Sequence, residues 1–342
     1  MGMLGRLFGG RGRDEEPAQS QVTTLDQILA QFERLYPGVD GEVLEPRLSV
    51  NTPIRWVYAF GVREPRPHWH YIGAGLTDIW GQQDGPDKFG ESGWGFELTF
   101  RLAAPDTLGA APQWPARLLA KLGRYVASSG NPLGAGHHME LRRPIDEDSS
   151  PLTCLGFIDD PTMQPAEAPS GKYQFVQAFG LTEPDVYDAM AWQALKFYDL
   201  LQEQYPWAIT VPDRPSLRDD PELAARIDAG RATDGSSMRG LGVAELKCAQ
   251  WAGEIIISLP GRAAAQIGDM LANALPEREE FRIGGPRHEV IFELGDQVRF
   301  HVGDKQSHVM LRAEDIRDIQ AHLTGEGEVV VPPGVRWRSL DV

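Results

Sequence analysis

Residues 68–102, HWHYIGAGLTDIWGQQDGPDKFGESGWGFELTFRL, carry the clearest structural pattern in the chain. Apolar and polar side chains alternate strictly in the second half of this stretch. The apolar positions are Trp94, Phe96, Leu98, Phe100 and Leu102. A period of two is typical of a β-strand with one buried face. The opposite face, which carries Glu97, Thr99 and Arg101, is expected to contact water or a partner.

The first half of the stretch predicts a second strand over residues 69–72. His68 and His70 lie on one face of this strand, whereas Trp69 and Tyr71 lie on the other. An H-x-H pair has the geometry of two metal ligands, but a zinc site requires further ligands, for which His137 and His138 are the nearest candidates. Without H-E-x-x-H or C-x-x-C, we interpret the histidines mainly as hydrogen-bonding groups of a half-buried face, and Trp69 and Trp94 mainly as core residues.

Length and charge limit the possible classes of function. A chain of 342 residues predicts two domains. The formal net charge of −16 argues against nucleic-acid binding and suits a basic protein partner. The only two cysteines, Cys154 and Cys248, favour a reducing cytoplasm over a disulfide framework. The chain has no apolar run of 18 residues, so no membrane span is predicted.

The predicted fold class is α+β, with two lobes, each a mixed or antiparallel β-sheet packed with helices. Residues 1–22 are predicted to be a disordered leader and residues 23–212 a first domain. Residues 213–242 carry charge, Gly, Ser and Pro, and predict a flexible linker with one short helix that ends at Gly230. Residues 243–342 predict a second, smaller domain.

Three helices of the first domain have recognisable boundaries. The motif from Thr24 to Gln27 predicts a capping box at the start of the first helix. Gly130 predicts the end of a helix over residues 115–128, which carries Tyr125. A long helix is predicted from a cap at Thr182 to Leu201.

Catalytic motifs are lacking. Gly90-Glu91-Ser92-Gly93 approaches a nucleophile elbow, but Trp94 occupies the position of the last glycine. No phosphate-binding G-x-x-x-x-G-K-[ST] motif is present. The sequence therefore predicts a non-enzymatic binder without a cofactor. The competing hypothesis is a metal-dependent enzyme centred on His68, His70 and His137.

Several segments, taken in order, make the chain resemble the Suppressor of fused (SUFU) family. They are Leu35-Tyr36-Pro37-Gly38, His68-Trp69-His70-Tyr71-Ile72, Gly75-Leu76-Thr77-Asp78, residues 93–102, Trp114-Pro115-Ala116, Arg124-Tyr125-Val126, residues 160–165 and Pro206-Trp207-Ala208-Ile209-Thr210. The segment from Glu245 to Trp337 resembles the family's C-terminal domain more weakly. The short acidic chain suggests a bacterial-type member with both domains.

The resemblance implies two lobes that close on a short peptide, which adds as a strand between them. Animal members bind zinc-finger transcription factors in the cytoplasm, and bacterial relatives are suspected to neutralise toxins as immunity proteins. The family's groove tyrosine matches Tyr125, and its groove acid falls at or beside His137, which is not acidic. We therefore expect a protein or peptide partner, with a toxin as one candidate, at Tyr125, His137, His138, Trp69 and His70, and neither nucleic acid nor membrane.

Overall fold

The structure is a computed structural model that describes residues 23–45, 52–83, 85–105, 108–236, 238, 240–277 and 280–340. The predicted leader, residues 1–22, lies outside the described residues. The α-helices are α1 (Thr24–Leu35), α2 (Trp114–Ser129), α3 (Glu183–Ala191), α4 (Ala194–Gln204), α5 (Pro221–Asp234), α6 (Gly261–Ala274) and α7 (Ala313–His322). Short 3₁₀ helices occupy Pro206–Ala208, Leu217–Asp219 and Leu275–Glu277.

The strands are numbered in chain order. They are β1 (Glu42–Leu44), β2 (Trp56–Val62), β3 (His68–Ala74), β4 (Glu91–Ala103), β5 (His138–Glu140), β6 (Cys154–Asp159), β7 (Ala166–Ala168), β8 (Gly171–Leu181), β9 (Gly240–Gly242), β10 (Lys247–Trp251), β11 (Glu254–Pro260), β12 (Glu280–Gly284), β13 (Glu289–Leu294), β14 (Arg299–Val302), β15 (Gln306–Leu311), β16 (Glu328–Val330) and β17 (Val335–Leu340). The chain is an α+β protein, as predicted.

Eight of the described strands form one mixed sheet in the order β1-β2-β3-β4-β8-β6-β5, with β7 paired to β8. The two strands predicted from the opening stretch, β3 and β4, pair in antiparallel register near its centre. Strand β5 ends the sheet on one side and pairs only with β6 among the described strands. We call this sheet and α1–α4 the first lobe.

The prediction for the polar face of β4 was wrong. Glu97, Thr99 and Arg101 are each fully buried, as are the apolar residues between them. The reason is that both faces of the sheet are covered. Helix α2 packs on one face and α1 on the other, so the alternation separates two buried environments instead of a core and a solvent face.

Helix boundaries followed the predicted signals with small differences. The first capping box lies at Thr23 and Asp26, one residue before the predicted start. Helix α2 ends at Gly130, whose φ of 75° is left-handed, as predicted. The predicted long helix does begin after a Thr182 cap, but it breaks at Trp192 into α3 and α4. At this break, the Trp192 indole donates a 2.7 Å hydrogen bond to Asp234.

The second lobe contains two sheets packed with α6 and α7. One is a four-stranded sheet in the order β10-β11-β17-β16, and the other has five strands in the order β14-β15-β13-β12-β9 among the described residues. Strand β9 is therefore an edge strand, as β5 is in the first lobe. The side chains of α6 and of the central strands β11 and β13 form the core.

The two lobes share part of their interior. One continuous group of buried apolar side chains runs from Phe179 and Val186 of the first lobe to Ile267, Phe281 and Trp337 of the second. Helices α3 and α6 pack directly against each other. At this contact, the Tyr187 hydroxyl of α3 donates a hydrogen bond to Asp269 of α6. The lobes are thus held together on the α3–α6 side.

Residues 213–242, predicted as a linker, contain the 3₁₀ helix Leu217–Asp219, helix α5 and strand β9. Asp220 caps α5 as predicted, but the helix continues past Gly230 to Asp234. A Cβ at Gly230 would lie only 2.3 Å from Cζ2 of Trp192, so this glycine permits close packing and does not end the helix. The domain boundaries themselves remain a prediction.

Candidate functional site

A cleft opens between the lobes where the edge strands β5 and β9 lie on opposite sides of one cavity. We call it the β5–β9 cleft. Its volume is about 380 Å³, and a neighbouring cavity of about 440 Å³ extends from it beside Glu140, Arg142 and Pro260. His138, Met139 and Glu140 of β5 face Leu241 and Gly242 of β9 across the first cavity. Edge strands present backbone groups that can pair with another chain.

The floor of the cleft is apolar and comes from elements far apart in the sequence. Met190 of α3, Met238 before β9 and Ala263 of α6 all line it. Methionine side chains are flexible and polarisable, and adapt to apolar groups of different shapes. The cleft therefore combines two strand edges with a deformable apolar surface.

The register of β5 determines which of its backbone groups are turned toward the cleft. His137 O accepts from Phe157 N, and Leu141 N donates to Thr153 O, so alternate residues of this segment bond β6. Because consecutive residues of a strand point their amides in opposite directions, the amide of His138 points away from β6. This is the geometry required for adding a further strand.

Strand β9 is short and rich in glycine, and its two glycines differ in role. A Cβ on Gly240 would lie 2.4 Å from Arg282 O, so glycine is required there for pairing with β12. A Cβ on Gly242 would meet nothing within 4 Å, and Gly242 lines the cleft. The open space beside the Gly242 Cα is therefore part of the cleft and not of the protein core.

Tyr125 lies close to this region but not in the cleft itself. Its side chain is 38% exposed on α2 and lines a smaller cavity of about 150 Å³ between α2 and the β5 segment. Met139 lines both this cavity and the cleft. The structure therefore brings Tyr125 and β5 into one continuous surface.

The two adjacent histidines lie at the start of β5. His137 is exposed, and its carbonyl accepts a 3.0 Å hydrogen bond from Tyr198. His138 is half-buried and lines the cleft. Burial lowers the pKa of His138 although Glu140 opposes the shift, so its ring is neutral at pH 7.

Trp69 and His70 do not join the other predicted site residues. They lie on β3, and β4, β8 and β6 separate that strand from β5, a distance of about 19 Å at the usual strand spacing. Trp69 is 6% exposed and His70 is fully buried. In this conformation neither side chain offers surface to a partner, and their assignment to a binding site remains a prediction.

His70 belongs instead to a buried polar network around Asp160. Both carboxylate oxygens of Asp160 contact the Arg101 guanidinium, at 2.8 and 3.1 Å, and Thr99 and the His70 Nε2–H also donate to it. Burial alone would raise the pKa of Asp160, but Arg101 and His70 hold it well below its usual range. Arg101 also stacks on the Trp207 ring, 5.6 Å from its centroid.

Three of the four ring nitrogens of His68 and His70 contact other protein groups. His70 Nδ1 contacts the Tyr36 hydroxyl at 2.5 Å, and its Nε2 contacts Asp160 at 3.1 Å. His68 Nδ1 contacts Arg66 O at 2.7 Å. Among the described residues, no group of three or more His, Cys, Asp or Glu side chains could hold a metal ion.

Most of the residues that line the cleft carry no signal of their position in the sequence. Arg142, Met190, Met238 and Gly242 belong to four segments with no shared motif, and only folding brings them together. The edge position of β5 and β9 also has no local signal, since it depends on the strand order.

The fold and the site define a two-lobed α+β protein with a cleft between two edge strands. Residues 51–215, just under half of the chain, match the family model described as Suppressor of fused protein (SUFU), so this segment is similar to that family. This confirms the resemblance.

Three relatives show the extent of the similarity. The human Suppressor of fused homolog is 37% identical over 246 residues, which are 66% of this chain and 50% of the human protein. The crystal structure of Drosophila Suppressor of Fused has a TM-score of 0.72 at 20% identity, covering 91% of this chain and 95% of the Drosophila chain. A chain in the crystal structure of the Sufu–Fu complex has a TM-score of 0.54 at 26% identity, covering 60% of this chain and 98% of that one.

The chain spans about half the length of the human relative that it matches. The human and Drosophila relatives are animal proteins. They give no support to the prediction that this chain is a bacterial-type member. None of the described helices combines the length and apolar character needed to cross a lipid bilayer.

Proposed function

We propose that this protein is a non-enzymatic cytoplasmic binder that holds an extended segment of a partner protein in the β5–β9 cleft. The observation that carries the proposal is that two edge strands from different lobes line one cavity. A segment lying between them can pair with both, so each lobe contributes backbone hydrogen bonds.

The side chains of the cleft would supply the selectivity of this binding. Alternate residues of a bound strand point to opposite sides, so every second residue would face Met190, Met238 and Ala263. An apolar residue at that position would be removed from water, at about 25 cal/mol for each Å² of apolar surface buried. We therefore expect the partner segment to alternate apolar and polar residues.

The relatives support a protein partner. The Sufu–Fu complex is an assembly of one protein with another, and one of its chains resembles this chain over 60% of its length. That this chain itself binds a partner protein is part of the proposal.

A blocking variant tests the proposed function. Random dodecapeptides displayed on phage are selected on the full chain, and the affinities of selected peptides are then measured for Gly242→Leu. A leucine at this position enters the cleft without meeting protein atoms within 4 Å of its Cβ, so the fold is retained while the cleft is filled. We expect at least a roughly tenfold loss of affinity.

Gly284→Leu is the matched control for this experiment. Gly284 pairs directly with Gly242 in the β9–β12 register, also has open space at its Cβ position, and does not line the cleft. The control should bind the peptides as the original chain does. Unchanged affinity in Gly242→Leu, or an equal loss in both variants, would exclude the β5–β9 cleft as the site.

Neutralisation of a toxin is a narrower version of this function, and the comparisons do not support it. It requires that the chain restore growth of cells that express a toxin encoded beside it. Protection should then disappear in Gly242→Leu and persist in Gly284→Leu. Failure against every neighbouring toxin would remove the immunity role and leave the binding role intact.

A further inference from the structure

Arg142 occupies an unusual position at the mouth of the cleft. It lies two residues after β5, is exposed, and lines both the β5–β9 cleft and the adjoining cavity. Its backbone has a φ of 58°, in the left-handed region that residues other than glycine rarely adopt. Such strain is concentrated at functional sites, where the surrounding structure holds a side chain in one direction.

Within the part of the chain that the structure describes, the charge of Arg142 is not paired with a carboxylate. No ion pair among the described residues includes Arg142, whereas Arg117 and Arg226 bind Glu147 and Glu203. The chain as a whole carries 16 more negative than positive charges. A guanidinium that pairs with no carboxylate of the described residues therefore borders the cleft.

The nearby carboxylates do not cancel this charge. Glu140 and Glu183 line the cavity beside Arg142, and each has an interaction within the chain. Neither forms an ion pair with Arg142.

We propose that Arg142 selects a partner segment with an Asp or Glu residue at the position that reaches the mouth of the cleft. This inference rests on the proposed function and specifies the chemistry of the partner. A guanidinium presents N–H donors in a planar fork that matches a carboxylate, and such charge-assisted pairs are about twice as strong as neutral hydrogen bonds.

The long-range field of the protein acts differently from this local contact. The overall negative charge attracts a basic partner during approach, and its effect decreases with ionic strength. Arg142 acts only on the partner residue that lies beside it. It therefore determines the register in which the partner segment binds. The partner segment therefore has basic flanks, an apolar residue over Met190 and Met238, and one acidic residue toward Arg142.

The test uses the peptides selected on the full chain. Their aligned sequences should contain Asp or Glu at one position, at a constant distance from an apolar residue. Affinities are then measured for Arg142→Glu, which should weaken binding by a factor of about ten or more. Replacing the acidic residue of the peptide by Lys should restore most of that affinity for Arg142→Glu and weaken binding to the original chain.

Two variants separate recognition from effects on folding. Arg142→Asn removes the charge but keeps a residue that tolerates left-handed φ, so it should weaken binding without lowering the melting temperature. Arg143→Glu changes the charge of the adjacent exposed arginine, which lines the small cavity near Tyr125 instead of the cleft, and should leave affinity nearly unchanged at high salt.

The outcomes distinguish this inference from the proposed function. If Gly242→Leu blocks binding but the peptides lack an acidic position, or if Arg142→Glu and Arg143→Glu behave alike, the role of Arg142 is excluded and the cleft remains the site. If Gly242→Leu has no effect, the proposed function fails, and the inference about Arg142 fails with it.

Discussion

At the scale of single residues, several titratable side chains are buried, and burial shifts their pKa values toward the neutral form. His68 and His70 are fully buried, and burial together with the nearby Arg101 charge lowers the pKa of each to about 4. Glu97 is equally buried, and burial raises its pKa to about 7, although Thr77 and the amides of Gly75 and Leu76 donate to it. These groups make the stability of the fold depend on pH in opposite directions.

His68 should destabilise the fold in acid. Its pKa is lower in the folded chain than the ordinary 6.5, so the unfolded chain binds the proton more tightly, and stability falls as pH drops from about 6.5 to 4. The full loss is on the order of 3 kcal/mol. In His68→Asn, whose amide can still donate to Arg66 O, urea unfolding at pH 4.5 and 7 should show a smaller difference. An unchanged difference would show that His68 is already protonated in the folded chain.

Glu97 should have the opposite effect. Its pKa is higher in the folded chain than the ordinary 4.5, so the folded chain binds the proton more tightly, and stability falls as pH rises from about 4.5 to 7. Glu97→Gln, which cannot ionise, should remove this contribution, on the order of 3 kcal/mol. The free energy of unfolding measured at half-unit steps across this range should therefore rise more steeply with pH in the variant. Parallel profiles for the two proteins would contradict the raised pKa.

Tyr36 lies at the edge of the buried network around Asp160, and its substitution tests that network. Burial raises its pKa to about 12, so the hydroxyl stays protonated and donates to His70 Nδ1. Tyr36→Phe retains the stacking on Phe60, whose ring lies 4.6 Å away, but leaves His70 Nδ1 with only the long 3.4 Å contact to Arg101 Nη2. We expect a loss of about 1–3 kcal/mol in chemical unfolding. Tyr58→Phe is the control, since its ring packs on Phe32 and it lies outside the network, and it should cost less.

At the scale of elements, α5 shows how packing overrides helix propensity. Gly230 lies inside the helix, where alanine would normally stabilise the fold. The Trp192 ring occupies the space that a Cβ would need, and the same ring donates to Asp234 at the end of α5. The contact fixes α5 against the break between α3 and α4.

Gly230→Ala should therefore destabilise the protein, against the usual gain of about 1 kcal/mol. The added methyl group must displace Trp192, and overpacking of this kind costs about 1–3 kcal/mol. Thermal unfolding followed by circular dichroism measures the effect. Ala229→Gly, one position earlier on an exposed part of the helix, should destabilise only by the propensity difference. A higher melting temperature for Gly230→Ala would show that Trp192 is free to move.

At the scale of the whole molecule, the lobes are joined on one side and separated on the other. The α3–α6 contact and the shared apolar core hold them together, whereas the β5–β9 cleft lies where their sheet edges meet. Closure of the cleft on a segment would therefore pivot about the α3–α6 contact and leave most of the core undisturbed.

The shared core predicts that both lobes unfold together. Leu271 of α6 is fully buried in it, and Leu271→Ala should cost about 2–5 kcal/mol. Seven of the nine tryptophans precede residue 213, so their fluorescence reports mainly on the first lobe. The variant should shift the fluorescence and circular dichroism transitions equally. A fluorescence transition that stays in place while circular dichroism shifts would show that the lobes unfold independently.

Much of the fold could be predicted from local sequence patterns. The alternation from Trp94 to Leu102, the Thr182 cap and the glycine at position 130 each act through neighbouring residues, and the structure contains the elements that they predict. The resemblance likewise rests on short segments that keep their order. Such signals are local because backbone dihedral preferences and strand periodicity do not depend on distant parts of the chain.

The remaining features depend on long-range contacts. Whether the polar face of β4 meets water was decided by Asp160 and the segment at residues 75–77, which bind its side chains. Whether Gly230 ends a helix was decided by Trp192. The cleft is a stronger case, because Arg142, Met190, Met238 and Gly242 meet only when two sheets end side by side. Local pattern determined which segments form strands and helices, but strand order determined which edges stay open, since pairing between distant segments leaves no periodic trace in either one.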